Sequence, residues 1–188
     1  MDKEIGIVME PTVNPAACRF AVDQAVYPDG SAYFQNREAA GSSPLAIKIF
    51  EIPEVENILI AKNQVTVTKS DFGPWREIGK QIEAKIREHL RSDEPAVTEE
   101  YAQNLPPEDE IRRRVGELLE EEINPALGMH GGFVKLIDVK KNAVFLKLGG
   151  GCKGCASASM TLKMGIERII RERIPEVGEV LDTTDHGF

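Results

Sequence analysis

A proline-punctuated acidic stretch, Arg91 to Pro107 (RSDEPAVTEEYAQNLPP), limits what this chain can fold into more than any other feature. It carries three prolines and four acids, and neither a helical nor a strand period of apolar residues runs through it. Such a stretch reads as a flexible linker, able to reach on the order of 55 Å when fully extended. It cuts the 188 residues into pieces of about 90 and about 80, each obliged to bury its own core. The expected domains are therefore 1–90 and 108–188, with 91–107 as the connection.

In the first piece, Cys18, Phe20 and Val22 alternate with Arg19, Ala21 and Asp23, the period of a half-buried strand. Ser31 to Gln35 reads as another strand. Ser43-Pro44 supplies an N-cap and a first helical residue, opening a short helix that turns Leu45, Ile49 and Phe50 inward. Asn57 to Ala61 and Gln64 to Thr68 form a hairpin across Lys62 and Asn63. From Pro74 a helix follows, with Trp75, Ile78, Ile82, Ile86 and Leu90 on one stripe.

The second piece opens with Glu108, Asp109 and Glu110, which suit the positive end of a helix dipole. Ile111, Val115, Leu118, Leu119 and Ile123 trace an amphipathic helix, and Asn124-Pro125 is expected to end it. After a glycine-rich loop at 128–132 come two strand-like runs, Phe133 to Val139 and Ala143 to Leu148. Gly149 to Cys155 reads as a loop. A helix with Leu162, Ile166, Ile169 and Ile170 inward and a short strand near Val177 to Leu181 complete the piece. The fold class is α+β: two small domains, each a mainly antiparallel sheet packed by helices, joined by a flexible linker.

Charge and cysteine use narrow the function. Lys and Arg number 23 against 31 Asp and Glu, a net charge of −8 that repels a phosphate backbone, so no nucleic-acid partner is expected. No apolar run reaches the length of a membrane span, and the N-terminal residues lack a secretion signal, so a soluble cytoplasmic protein without a membrane partner is expected. Three cysteines are too few for a disulfide framework.

Two of them, Cys152 and Cys155, form a C-x-x-C within Gly149-Gly150-Gly151-Cys152-Lys153-Gly154-Cys155, between a strand and a helix. Glycines let the backbone approach a bound group, and free N–H groups at a helix start favour anions, so a thiolate here is a good ligand or nucleophile. A lone C-x-x-C offers two of the four ligands that zinc or an iron–sulfur cluster takes. His130, Cys18 or the same pair from a second copy of the chain are the sources open for the rest. Cys18 shares an apolar strand face with Phe20 and Val22 and reads as a buried hydrophobe. His130 reads as a loop residue, His89 and His186 as solvated, and Met160 and Met164 as packing. Three functions fit: a cluster carrier or scaffold, a thiol–disulfide oxidoreductase, and a zinc site bridging two chains. The oxidoreductase is disfavoured because the motif falls late, with 33 residues after Cys155 and no Trp directly before it.

Gly149 to Ser157, with Thr161 to Glu167, Pro175-Glu176-Val177, Asn124-Pro125 and His130-Gly131-Gly132, resembles the C-terminal NifU-type domain of the Nfu iron–sulfur proteins over about 108 to 184. Residues 5 to 90 resemble the Nfu N-terminal domain through Pro11 to Pro15, Ser43-Pro44-Leu45-Ala46 and Ile58 to Lys69. His130 and Ala156 depart from the Asp and Pro that many members carry there. The resemblance implies a non-catalytic homodimeric carrier with a [4Fe-4S] cluster, rather than [2Fe-2S], held between two copies by Cys152 and Cys155. It further implies that upstream assembly machinery supplies the cluster and that apo iron–sulfur enzymes receive it.

Overall fold

A computed structural model describes residues 4–151 and 156–184, with backbone alone for 156–160. The chain forms two compact units, Met1–Leu105 and Pro106–Phe188.

The first unit is a five-stranded antiparallel sheet: β1 (Ile7–Pro11), β2 (Ala17–Val22), β3 (Tyr27–Phe34), β4 (Val55–Lys62) and β5 (Gln64–Lys69), in the order β1-β2-β5-β4-β3. The alternation in β2 does what its period requires, because Cys18 and Phe20 pair with Val67 and Val65 of β5 and all four are buried. Lys62 takes φ 55° at the tight β4–β5 turn, and Asn63 Nδ2 holds the Val22 carbonyl at 3.0 Å. Helix α1 (Pro44–Ile49) is capped by Ser43, whose Oγ accepts the Ala46 N–H at 3.1 Å. Helix α2 (Arg76–Leu90) sends Ile82 and Ile86 into the same core. β1 has no signature in the sequence, since Val8 and Met9 are exposed and carry no apolar alternation.

The expected linker needs correction over most of its length. Its Ala96 and Val97 are buried in the first core. Ser43 Oγ donates to the Ala96 carbonyl at 2.6 Å, and the Thr98 N–H and hydroxyl both donate to the Ser42 carbonyl, at 2.9 and 3.0 Å. A short helix, α3 (Glu99–Gln103), brings the Tyr101 ring to 5.5 Å from Phe34, and its hydroxyl accepts the Tyr33 N–H at 3.3 Å. Polar and proline residues hid one short apolar dipeptide and one aromatic, and those few side chains tie the segment down as a strap. His89, expected to be solvated, is fully buried between Lys48 of α1 and Glu94 of this strap. The division between units falls at Leu105–Pro106.

The second unit stacks helices on one face of a three-stranded sheet, β6 (Gly132–Lys140), β7 (Ala143–Gly150) and β8 (Val180–Asp182). β6 and β7 are antiparallel, while β8 runs parallel to β7. Helix α4 (Glu108–Leu118) contributes Ile111, Val115 and Leu118 to the core. Asn124-Pro125 does not end the helical path as expected. A wider π turn at Leu119–Ile123 precedes α5 (Asn124–Gly128), and proline in the first turn of a new helix lacks only an N–H that has no partner there anyway. Helix α6 (Ala156–Arg173) buries Ile166 and Ile170, while Leu162 and Ile169, expected inward with them, are only partly buried against the core. No helix among the described residues is long and apolar enough to cross a membrane.

Candidate functional site

Cys152 and Cys155 lie outside the described residues, as does His186; the segments that lead into and out of the pair are described. The incoming segment is β7. Its end is longer than expected, for Gly149 and Gly150 belong to the strand, opposite Phe133 and Gly132. The outgoing segment is α6, helical from Ala156 with no acid in its first turn, which leaves the positive end of its dipole uncompensated from within.

Two contacts fix the end of β7. On one side, Thr184 Oγ1 accepts the Leu148 N–H at 2.7 Å while its hydroxyl is engaged by Asp182. On the other, the Gly151 N–H donates to the Gly131 carbonyl at 2.8 Å, tying the strand exit to the loop that precedes β6. Gly150 and Gly131 have φ of +65° and +71°, a backbone region costly for other residues. A Cβ on Gly149 would strike the Phe133 ring, and one on Gly150 would strike the Gly131 oxygen. Gly150 is required by its close approach to backbone, whereas Gly149 meets only the outer end of the Phe133 ring.

Asn124 anchors the opposing strand. Its Oδ1 accepts the Val134 N–H at 2.7 Å and its Nδ2 donates to the Val134 carbonyl at 3.0 Å. This two-point clamp sets β6, and thereby the Gly131–Gly151 contact. An Asn before Pro reads equally as a helix terminator, so the clamp carries no signal in the sequence, and neither does the Thr184 contact, whose partner lies 36 residues away.

The other two ligand candidates lie in different units. His130 is exposed in the loop, and its N–H donates to the Leu127 carbonyl at 2.9 Å. Cys18 is buried in the first unit, where its thiol donates to the Glu10 carbonyl at 3.2 Å. Burial pushes that thiol up to about 11, which opposes the thiolate a metal requires. Met164 is half-buried on α6, in keeping with a packing role. Glu167 on α6 is raised by burial, an effect that Arg171 and Lys163 counter. Among the described residues no group of three or more His, Cys, Asp or Glu side chains is arranged to hold a metal ion.

Residues 115–181 match the NifU-like domain model, and residues 7–93 match the model described as scaffold protein Nfu/NifU N terminal. A NifU-like protein of Schizosaccharomyces pombe is 33% identical over 97% of this chain and 74% of its own length. The chain belongs to the Nfu family. Another relative, the mitochondrial NFU1 iron-sulfur cluster scaffold homolog of Drosophila grimshawi, is 30% identical over 95% of this chain, which spans 62% of that protein. The Fe/S biogenesis protein NfuA of Pseudomonas savastanoi pv. phaseolicola is 54% identical over 80 residues, 40% of this chain and 41% of its own. In this Nfu chain the NifU-like match takes in the Asn124 clamp, the glycine end of β7, both cysteines of the motif and α6.

Proposed function

We propose that this Nfu-family chain carries a [4Fe-4S] cluster, held by Cys152 and Cys155 of two copies, and hands it to apo-proteins without acting as an enzyme. The observation that carries the reading is a C-x-x-C, within the NifU-like match, placed between a strand pinned on both sides and the start of a long helix. Two thiolates per chain meet the cluster's need for four only when two chains meet. Burial disfavours the Cys18 thiolate, which supports a second copy of the pair over Cys18 as the source of the remaining ligands.

Chemically the cargo leaves by ligand exchange. Each iron–thiolate bond to the carrier breaks as one to the recipient forms, the departing thiolate takes the proton the incoming thiol loses, and no electron changes hands. Four thiolates on a 2+ core leave a net charge near −2, which Lys153 and the positive end of α6 are suited to offset. A cluster shared across a two-fold axis has no complete cage in either chain and is correspondingly easy to release. Upstream assembly machinery supplies it. A reducing compartment, the cytoplasm in this reading, keeps the thiols available.

Anaerobic reconstitution with iron and sulfide, followed by Mössbauer spectroscopy and size-exclusion chromatography, tests the proposal. The expected result is one [4Fe-4S] cluster per two chains with a doubling of mass on loading. Cys152→Ala and Cys155→Ala should each abolish stable loading while Cys18→Ala retains it. One cluster per chain without a change of mass, or loading that depends on Cys18, overturns the ligand assignment; a colourless zinc-loaded dimer favours the structural-zinc reading instead.

A further inference from the structure

The two faces of the second unit's sheet differ in kind. Val134, Val144, Leu146 and Leu148 face the helices and are buried. On the opposite face Phe133 is 41% exposed and Ile137 49%, with Lys135 and Lys147 exposed beside them and Phe145 half-buried between. The Lys135 ammonium stands 5.4 Å from the Phe133 ring centre, and that of Lys140 5.8 Å from Phe145. An apolar floor is thus rimmed by cations on a chain whose net charge is −8.

We propose that this face docks the acceptor of the cluster, and that the acceptor is an acidic protein presenting carboxylates around an apolar side chain. The proposal rests on the carrier reading above. Charge complementarity selects the occupant: opposite potentials steer encounter and reject like-charged partners. A second copy seated here about a two-fold axis would set Lys135 and Lys147 against their own counterparts. Asp138, the one acid within β6 and β7, is already held by Arg112 at 2.7 Å and lies 3.9 Å from Lys140. Nucleic acid is disfavoured because the molecule as a whole repels phosphate. The position is also apt. Phe133 lies against Gly149 in the strand that continues directly into Cys152, so a protein seated on this face is aligned with the strand that leads to the thiols.

The test uses the full chain, reconstituted anaerobically, with the apo form of a small acidic [4Fe-4S] ferredoxin as probe. Lys135→Glu/Lys147→Glu is compared with Arg113→Glu/Arg168→Glu, which makes the same change of net charge on exposed helix positions. Thermal melts and iron content establish that both variants fold and load. At low salt the lysine variant should transfer its cluster, and bind fluorescently labelled apo-ferredoxin, about tenfold more weakly or worse, with a flatter salt dependence, while the arginine variant stays within about twofold of the parent. Equal rates for the lysine variant and the parent overturn the proposal and leave the carrier reading intact. Equal losses in both variants overturn it too, because net charge alone then explains the effect, and so does single-stranded DNA that binds the parent as tightly as the ferredoxin does. If the parent takes up no cluster, the carrier reading falls, and the binding arm still decides: loss confined to the lysine variant upholds the docking face, and no binding by the parent rejects it.

Discussion

Gly150→Ala is the substitution that most directly tests how the strand delivers the cysteine pair. The residue sits at φ +65° at the end of β7, and an added Cβ would fall well under 3.0 Å from the Gly131 carbonyl oxygen. The left-handed conformation alone costs an alanine about 1–2 kcal/mol. Relieving the overlap requires Gly131 to move, and its carbonyl accepts the Gly151 N–H at 2.8 Å, so about 1 kcal/mol of hydrogen bonding is lost as well. The sum is about 2–3 kcal/mol, which for a unit of this size lowers the melting temperature by roughly 10–20 °C. Differential scanning calorimetry of the full chain should show this loss in one of two transitions, and reconstitution should give a lower cluster yield in proportion. Gly116→Ala is the internal control: its Cβ would meet nothing within 4 Å inside α4, so about 0.5–1 kcal/mol of stabilisation is expected. A Gly150→Ala chain that melts within about 2 °C of the parent and loads normally would refute the claim that a pinned, glycine-only exit holds the motif.

Two further outcomes concern the first unit. A fragment ending at Leu105 should melt cooperatively, whereas one ending at Leu90 should lose about 4 kcal/mol, the burial of Val97 and Tyr101 together with the hydrogen bonds of Ser42 and Ser43, and show no sharp transition by circular dichroism; equal melts would return the strap to the status of a linker. Burial, and next the Lys48 ammonium, hold His89 below the usual imidazole range. The unfolded chain therefore takes up a proton near pH 6.5 that the folded unit resists, so stability is complete above that pH and falls as pH drops toward the folded value. His89→Leu should flatten the acid side of a plot of urea midpoint against pH between about 7 and 5, and an unchanged slope would show that another group governs it.

What was legible in the sequence was whatever repeats. The β2 alternation, the α2 and α4 stripes and the Ser43-Pro44 start each spread one signal over several residues, and each stands in the structure where the pattern put it. What was illegible depended on single residues whose partners lie far along the chain. Ala96 belongs to the core because Ser43, 53 residues earlier, donates to its carbonyl, and no local window contains both. Lys69 has the composition of a surface strand end, yet its side chain is buried against Asp71 and 5.4 Å from the Trp75 ring. Asn124 and Thr184 act in the same way at the candidate site, each joining a backbone group on a different strand. The cysteine spacing announced the chemistry, but the restraint on the strand that presents it comes from these isolated polar contacts. Long-range anchors of this kind are the positions at which local reading fails first, and here they converge on the approach to Cys152 from both sides of β7.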